Sequence, residues 1–485
     1  MGDQISAEGT RPVFRAPVSL VNLMALLLRD RAWRPARDVP FLVLSAAVVL
    51  SMIRSVDQPS ASVSVGGTQV SLVPGDIALA AVAVLCAARL LGRGSLPRPA
   101  RAVTYAAAAF ASWLLISSAF SGFSALVGAG KLLEYGLLGL GAVLFVQRRA
   151  HLWLLVALLV AVTAAATTWA IFGFFDLPPI GGNAGKRQAS FLGEHDFAAL
   201  ATMSLCLALA AFHSRRHRLG RLPLVAGVFG AVGVALGAPL AGLAGLYLAA
   251  GVIVLLALAR GTLTRRALAL TLVVCTLVTG GVLTLRWGEL GSVFRYAGIE
   301  KHVNHGGTYA ASWSQRIIFV YIGGRMFLDH PVVGTGWYGE IPGSVYARYL
   351  PDARARFPGQ PPDYFPKADG EFTPQQAYDQ ILYELGIVGA LLFLTLAALT
   401  VRTVVAIGRS WPRDDPDEPA AYLFAAWVAA LAGGLAGAAL FGGIPFAAIF
   451  WITLGAAALG PSLVPLQVAV RDIAEEGARL TAVAR

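Results

Sequence analysis

A polar start to an otherwise apolar segment, residues 373–393 (TPQQAYDQILYELGIVGALLF), contains the residue types most suited to chemistry. At helical spacing its polar side chains fall on two adjacent stripes: Gln376, Gln380 and Glu384, and Gln375, Asp379 and Tyr383. We predict one helix that continues to about residue 405, long enough to span a hydrocarbon core of roughly 30 Å. Carboxylates at the mouth of such a helix need partners or water, so both should face an interior cavity.

These stripes carry groups suited to acid–base chemistry. A positioned carboxylate can accept a proton from a hydroxyl group, so Asp379 and Glu384 are the candidate catalytic residues. Gln375, Gln376 and Tyr378 can orient hydroxyl groups, and a glutamine accepts no proton at neutral pH. The alternative for Asp379 is a structural role in a helix cap or an ion pair.

Cationic side chains in two segments between apolar windows indicate an anion site. Lys186 and Arg187 lie in one segment, and Arg316 and Arg325 lie in the other. Guanidinium groups bind phosphate oxygens in a bidentate fork, so a phosphate-bearing substrate would require such groups. The alternative is contact with lipid headgroups or with carboxylates of the same loops.

The histidines and acidic clusters give little indication of a metal, and we expect neither a metal nor a cofactor. His195 beside Asp196 can act as a base or a hydrogen-bonding group, or simply as a satisfied loop residue. His302 and His305 lack further ligands at motif spacing. The trio Asp415–Asp417 lies in a short loop without a nucleotide-binding domain, which favours a solvated linker over a Mg²⁺ site.

The composition indicates that the elements which position these residues are membrane helices. Of 485 residues, 57% are hydrophobic and 13% are charged, which is too apolar for an ordinary soluble protein. Twelve windows are long enough to span a bilayer: 40–56, 69–92, 102–121, 126–147, 151–175, 196–213, 222–238, 240–260, 266–285, 380–404, 418–440 and 444–463. We therefore predict an all-α polytopic membrane protein with about 12 transmembrane helices.

The basic residues predict the orientation of these helices. They alternate from loop to loop, which places both termini in the cytoplasm. The two cationic segments, 176–195 and 286–379, are the exceptions on the external side. The net charge of +11 follows mostly from this pattern, so no nucleic-acid partner is predicted.

The chain divides into three predicted parts. Residues 1–285 form a bundle of about nine spans, with a possible interfacial helix at 15–30. Residues 286–379 form a large extracytoplasmic loop that caps the bundle and contains a helix near 314–328. Residues 380–485 form three spans and a cytoplasmic tail. One intramembrane pair, Lys131 with Glu134, is either a structural clamp or part of a substrate site.

Three motifs resemble those of the O-antigen polymerase and O-antigen ligase superfamily, the Wzy-type and WaaL-type membrane glycosyltransferases. KRQASFLGEHDFAAL is similar to that family's external-loop pattern R..G.F..PN..A. The stretch DHPVVGTGWYG resembles DHPxxGxGxG, and QQAYDQILYELGIVGALLFL resembles HNxyLqxxxElGixG. The span count and the large loop before the last three spans also resemble the family.

The resemblance implies metal-independent transfer of a glycan from a polyprenyl diphosphate to an acceptor sugar. The reaction would take place at the outer face of the bacterial cytoplasmic membrane. By position, Arg187 and Arg316 would bind the diphosphate, with Lys186 and Arg325 as further candidates. The stretch that begins at Gln375 would form the rim of the acceptor site, and His195 and Asp196 would orient the substrate.

This sequence departs from the family pattern at several positions. Gln375 stands where ligases carry a histidine proposed as the base, and Gln376 replaces an asparagine. Residues 237–242 lack the Ser-Arg of many members. These departures favour a polymerase of a surface polysaccharide over a ligase, and they leave Asp379 as the nearest candidate base.

Several alternatives remain open from the sequence. An O-antigen ligase or a protein oligosaccharyltransferase of the same superfamily would use the same donor with another acceptor. A wall-building glycosyltransferase would share the topology. A transporter or flippase of a lipid-linked anionic substrate would carry polar groups near the bilayer midplane, whereas here they gather at the external mouth. A non-catalytic scaffold would act with envelope-assembly proteins. The expected partners are the lipid-linked oligosaccharide donor, a glycan acceptor and the lipid bilayer.

Overall fold

The computed structural model describes residues 35–53, 58–65, 68–92, 100–178, 180, 184–214, 217–287, 308–437 and 444–464. The possible interfacial helix at 15–30 lies outside these residues, as do His302 and His305. Nearly all regular structure within them is helical, which confirms the predicted all-α class.

Fifteen α-helices are found in the described ranges. They are α1 (Pro35–Leu50), α2 (Pro74–Leu91), α3 (Arg101–Ser121), α4 (Phe123–Phe145), α5 (Arg149–Phe174), α6 (Glu194–His213), α7 (Leu222–Gly237), α8 (Leu240–Ala259), α9 (Arg265–Leu285), α10 (Thr308–Asp329), α11 (Gly343–Tyr346), α12 (Leu350–Arg356), α13 (Ala377–Ser410), α14 (Pro419–Leu435) and α15 (Ile444–Leu463). Nine of them are long and apolar enough to cross a membrane, which confirms a multi-pass membrane protein.

Three further apolar helices are shorter than a bilayer crossing usually requires. They are the apolar part of α1 (Asp38–Leu50), α7 and α14. Each lies at a predicted window, so the order of apolar elements agrees with the sequence analysis. The count of twelve spans stays a prediction.

A β-hairpin precedes α2. Strands β1 (Ala61–Val65) and β2 (Thr68–Leu72) pair antiparallel, and the alternation of Val with polar residues in ASVSV and TQVSL suits a strand. The predicted window 69–92 therefore begins too early. The helix begins at Pro74, where the backbone N–H of Val73 donates a hydrogen bond to Asp76 Oδ2 at 2.9 Å.

Small residues allow the membrane helices to approach closely. A Cβ atom added to Gly433 of α14 would lie 2.3 Å from the backbone nitrogen of Gly245 in α8. A Cβ atom on Gly455 of α15 would lie 2.6 Å from the carbonyl oxygen of Gly139 in α4. Lipid offers no hydrophobic drive between helices, so such backbone contacts supply much of the packing energy.

The end of the loop between α13 and α14 is buried, so the predicted solvated linker at Asp415–Asp417 is wrong. Asp417 is 1% exposed. Its Oδ1 accepts hydrogen bonds from Trp153 Nε1 at 2.7 Å and Arg218 Nε at 2.9 Å. The next residue, Glu418, accepts from Arg260 Nη2 at 3.0 Å. Buried carboxylates require such partners, and here they join loops from distant parts of the chain.

Residues 308–376 and the start of α13 form a cap with its own core. The helix predicted near 314–328 is confirmed as α10, and short strands β3 (Ile341–Pro342) and β4 (Glu371–Phe372) pair antiparallel. The buried core residues are Ile318, Ile322, Met326, Ile341, Tyr346, Tyr349, Leu350, Ala353, Phe365, Phe372 and Tyr383. The cap core therefore extends past residue 379, where the sequence analysis ends the cap.

We predict that the cap is extracytoplasmic, and labelling of an introduced cysteine tests this. A membrane-impermeant maleimide added outside intact cells should label Asp363→Cys but not Asp414→Cys, since the loop of Asp414 is predicted to be cytoplasmic. Both positions are exposed, and the three native cysteines are buried, which keeps the background low. Labelling of Asp363→Cys only after permeabilisation would reverse the topology.

Candidate functional site

Helix α13 is broken at the segment that carries the candidate catalytic residues. Gly386 has φ 66° and ψ −171°, which separates a half-helix (377–385) from the long helix that runs to Ser410. The prediction of one unbroken helix is therefore wrong. Asp379, Gln380, Tyr383 and Glu384 belong to the half-helix, whereas Gln375 and Gln376 precede its first residue. The apolar face of the longer part begins after the break.

The loop 331–338, which follows α10, fills this break. Backbone hydrogen bonds join it to both sides: Thr335 N–H donates to the carbonyl of Tyr383 at 3.0 Å, Gly336 N–H to Glu384 at 2.9 Å, and Ile387 N–H to Pro331 at 2.8 Å. Trp113 Nε1 of α3 donates to the carbonyl of Leu385 at 2.9 Å. A break in a membrane helix is tolerated only when its backbone groups find partners, and these contacts supply them. Two of the three motifs noted above are thus in direct contact.

Glycines make this contact possible. Gly334 and Gly386 have φ values of 78° and 66°. A Cβ atom on Gly334 would lie 2.2 Å from the carbonyl oxygen of Glu384, and one on Gly386 would lie 2.3 Å from that of Val332. Only glycine suits both the left-handed backbone and the close approach.

Cationic and acidic residues from one loop and three helices lie close together at the half-helix. Arg316 of α10 is near enough to act electrostatically on both Asp379 and His195. Arg187 also acts on His195, and its Nη1 lies 2.9 Å from Glu194 Oε2. We call these five residues the Arg316 cluster. Its members come from loop 184–193, the first turn of α6, α10 and α13.

Asp379 is half-buried and oriented by its own helix. Gln376 Nε2 donates to its Oδ2 at 3.3 Å, and the N–H of Gln380 donates to its Oδ1 at 2.8 Å. Both contacts are hydrogen bonds within residues 376–380, unlike the ion pair that was one alternative for Asp379. The carboxylate is therefore held in place and still partly accessible, as a proton acceptor must be.

The other predicted acceptor residues lie beside Asp379 but have separate contacts. Gln375 Nε2 donates to the carbonyl of Thr373 at 3.2 Å. The Tyr378 hydroxyl donates to the carbonyl of Ala432 at 2.7 Å, which links the half-helix to the end of α14.

Glu384 lies in the protein interior. Its side chain is completely buried, next to the side chain of Gln380 and the backbone N–H groups of Tyr338 and Gly339. The expectation that it faces a water-filled cavity with Asp379 is wrong, because solvent does not reach it. Glu384 is placed to position the loop at the helix break.

Three further predicted site residues are not members of the Arg316 cluster: Lys186, Arg325 and Asp196. Lys186 is exposed, and its carbonyl accepts a hydrogen bond from Gln188 Nε2 at 2.8 Å. Arg325 Nε lies 2.9 Å from Asp352 Oδ2 at the cap surface, with about half of each side chain exposed. Asp196 is 5% exposed in the first turn of α6.

Sequence reasoning missed one cation, Arg286. It acts electrostatically on His195 together with Arg187 and Arg316. Its Nε donates to the carbonyl of Ala238, in the turn between α7 and α8 where the resembled Ser-Arg is missing. The available signal was its place at the start of segment 286–379, among the basic residues on the external side.

Lys131 joins two membrane helices. Its Nζ lies 3.1 Å from both Asp76 Oδ1 of α2 and Glu134 Oε2 of α4. This geometry favours the structural clamp among the two alternatives for the pair. Within the described ranges, no group of three or more His, Cys, Asp or Glu side chains is arranged to hold a metal ion.

Comparison with known proteins assigns no family to this chain. No protein-family signature matches it, and no curated protein sequence matches it. The resemblance in the three motifs stays a prediction.

Proposed function

We propose that this chain is a membrane glycosyltransferase. It transfers a glycan from a polyprenyl diphosphate to an acceptor sugar at the outer face of the bacterial cytoplasmic membrane, and acts as the polymerase of a surface polysaccharide. The observation that carries the proposal is that Arg187 and Arg316 both lie near His195, and that Arg316 also lies near a half-buried, oriented carboxylate, Asp379. A transferase of this type needs cations for the leaving diphosphate and a base for the attacking hydroxyl.

In this mechanism Arg187 and Arg316 bind the donor diphosphate. The acceptor hydroxyl oxygen forms a bond to the anomeric carbon while the bond from that carbon to the diphosphate oxygen breaks. The hydroxyl proton passes to Asp379, and the polyprenyl diphosphate leaves with the bonding electron pair. Fixed guanidinium groups stabilise the charge that develops on the leaving oxygen.

The side chains around Asp379 orient the acceptor. Gln375 and Gln376 have amide donors and acceptors suited to sugar hydroxyls, and Tyr378 is 43% exposed at the same helix turn. Gln376 also holds Asp379 directly. An O-antigen ligase or a protein oligosaccharyltransferase would use the same arrangement with a different acceptor.

One observation favours a transporter or flippase as a second candidate. Broken helices form the binding sites of many transporters, and α13 is broken at Gly386. Here, however, loop 331–338 bonds the backbone groups at the break, which supports a structural role for it.

Incubation of the purified full chain with a polyprenyl-diphosphate oligosaccharide separates these functions. A ladder of products of increasing length supports the polymerase. A single transfer to an added foreign acceptor supports the ligase. Movement of the lipid-linked glycan across a liposome bilayer without any new glycosidic bond would reject the transferase in favour of transport.

The two arginines are expected to be essential for transfer. Arg187→Ala and Arg316→Ala should each cost about 2–5 kcal/mol of transition-state stabilisation, a loss of roughly 30- to 4000-fold in kcat/KM. The matched control is Arg348→Ala, which removes an exposed cap arginine 3.5 Å from Asp329 and should change the rate less than about threefold. Wild-type kcat/KM in both test variants would remove these arginines from the mechanism.

A further inference from the structure

Arg286 follows the last residue of α9 and is buried. It is 7% exposed, and its Nε donates to the carbonyl of Ala238. Burial of a guanidinium is costly unless nearby groups or a ligand compensate its charge. A basic residue at a helix C-terminus also interacts favourably with the helix dipole, so a purely structural role must be tested against any other.

The turn that holds Arg286 packs directly against the Arg316 cluster. A Cβ atom on Gly237 would lie 3.6 Å from the carbonyl oxygen of Glu194, at the start of α6. On the other side, Gln188 N–H donates to the carbonyl of Leu236 at 2.9 Å. The turn therefore contacts both the first turn of α6 and the residue next to Arg187.

The turn between α7 and α8 lines the same crevice as His195. His195, Pro239 and Gly242 line it, together with residues of α6, α14 and α15. Ala238, whose carbonyl accepts the hydrogen bond from Arg286, directly precedes Pro239 of this crevice. This agrees with the electrostatic effect of Arg286 on His195.

We propose that Arg286 is the third guanidinium of an anion site formed with Arg187 and Arg316, and that this site takes the diphosphate of a lipid-linked donor. The inference rests on the proposed function. A diphosphate esterified at both ends carries about two negative charges, and it gains about one more when the sugar bond breaks, since a terminal phosphate has a second pKa of about 6. Three guanidinium groups therefore balance the negative charge of the leaving diphosphate better than two.

A binding measurement tests this without any glycan transfer. The purified full chain is titrated calorimetrically with farnesyl diphosphate, farnesyl monophosphate and inorganic pyrophosphate. Arg286→Gln should weaken farnesyl diphosphate binding about 10- to 100-fold and farnesyl monophosphate binding less than about threefold, because the monophosphate can be held by the two other arginines. Arg266→Gln, an exposed arginine at the other end of α9, should bind like the wild type.

Unchanged farnesyl diphosphate affinity in Arg286→Gln, with a lowered thermal unfolding midpoint, would assign Arg286 a structural role only and overturn the proposal. Inorganic pyrophosphate bound as tightly as farnesyl diphosphate would overturn the lipid-linked donor. If Arg286→Gln does not fold, Arg286→Lys keeps the charge but not the planar fork. It should bind farnesyl diphosphate about tenfold more weakly, and wild-type affinity in that variant would also overturn the proposal.

The same experiment distinguishes this inference from the proposed function. Weakened diphosphate binding in Arg286→Gln, with no transfer by the wild type, would keep the anion site and reject the glycosyltransferase. Transfer by the wild type, with unchanged binding in Arg286→Gln, would keep the enzyme and reject Arg286 as a ligand of the diphosphate.

Discussion

Asp379→Asn should reduce glycan transfer about 10²- to 10⁴-fold, because it removes the proposed general base. Asparagine has nearly the same shape, and its amide oxygen can still accept from the N–H of Gln380, which donates to Asp379 at 2.8 Å. The variant should therefore stay folded. Initial rates measured between pH 6 and 8, together with the thermal unfolding midpoint, check this result.

The control for Asp379 is Gln375→Ala at the start of the same segment. It removes an orienting amide whose described contact is with the carbonyl of Thr373, so the loss should stay near tenfold or less. Near-normal turnover of Asp379→Asn across the pH range would contradict the catalytic role and leave Asp379 as a helix-terminal structural group.

Gly386→Ala should prevent correct assembly of the cap on the membrane helices. An alanine at positive φ costs about 1–2 kcal/mol, and its Cβ atom would meet the carbonyl oxygen of Val332 at 2.3 Å, which adds about 1–3 kcal/mol of strain. Together these are a large part of a typical folding free energy of about 5–15 kcal/mol. The yield of monodisperse protein and its thermal unfolding midpoint in detergent are the measurements.

Two further glycine variants make this result specific. Gly334→Ala strains the same contact from the opposite side and should have an equally large effect, since its Cβ atom would lie 2.2 Å from the carbonyl oxygen of Glu384. Gly324→Ala in α10 meets no atom within 4 Å and should be neutral or stabilising by about 0.5–1 kcal/mol. Wild-type stability of both Gly334→Ala and Gly386→Ala would show that the loop and the break do not interlock.

The apolar helices were predictable because burial in lipid selects the whole composition of a segment. The window 151–175 agrees with α5 (Arg149–Phe174) within two residues. The window 69–92 failed at its start because Val70 and Leu72 of β2 raise the local hydropathy as much as helical residues do. Average hydropathy carries no information on whether apolar residues repeat with the period of a strand or of a helix.

The break in α13 left no trace in the apolar pattern. A single residue at positive φ changes the direction of the chain without changing its hydropathy. The groups that satisfy the break lie about fifty residues earlier in loop 331–338 and, for Trp113, in α3. The available signal was the repeated glycine in GTG and ELG. That signal indicates an unusual backbone but not its partner.

The cations of the candidate site were predictable in part. Arg187 and Arg316 stand out because they lie on the predicted external side, where topology does not require them. Arg325 carries the same signal but pairs with Asp352, and Arg286 was overlooked. Which arginines converge depends on the helix packing, and the sequence does not report it.

Because Tyr383 belongs to the cap core, its position determines where the cap must end if it is transferred to another membrane protein. A Cβ atom on Gly323 of α10 would lie 2.4 Å from the Tyr383 ring, so the ring and the cap are fitted to each other. A transferred cap that ends at residue 379 would lack Tyr383 and most of the half-helix that carries it. A graft that runs to Leu385 transfers the ring, the loop 331–338 and the half-helix as one module, with Gly386 as its junction to a foreign membrane bundle.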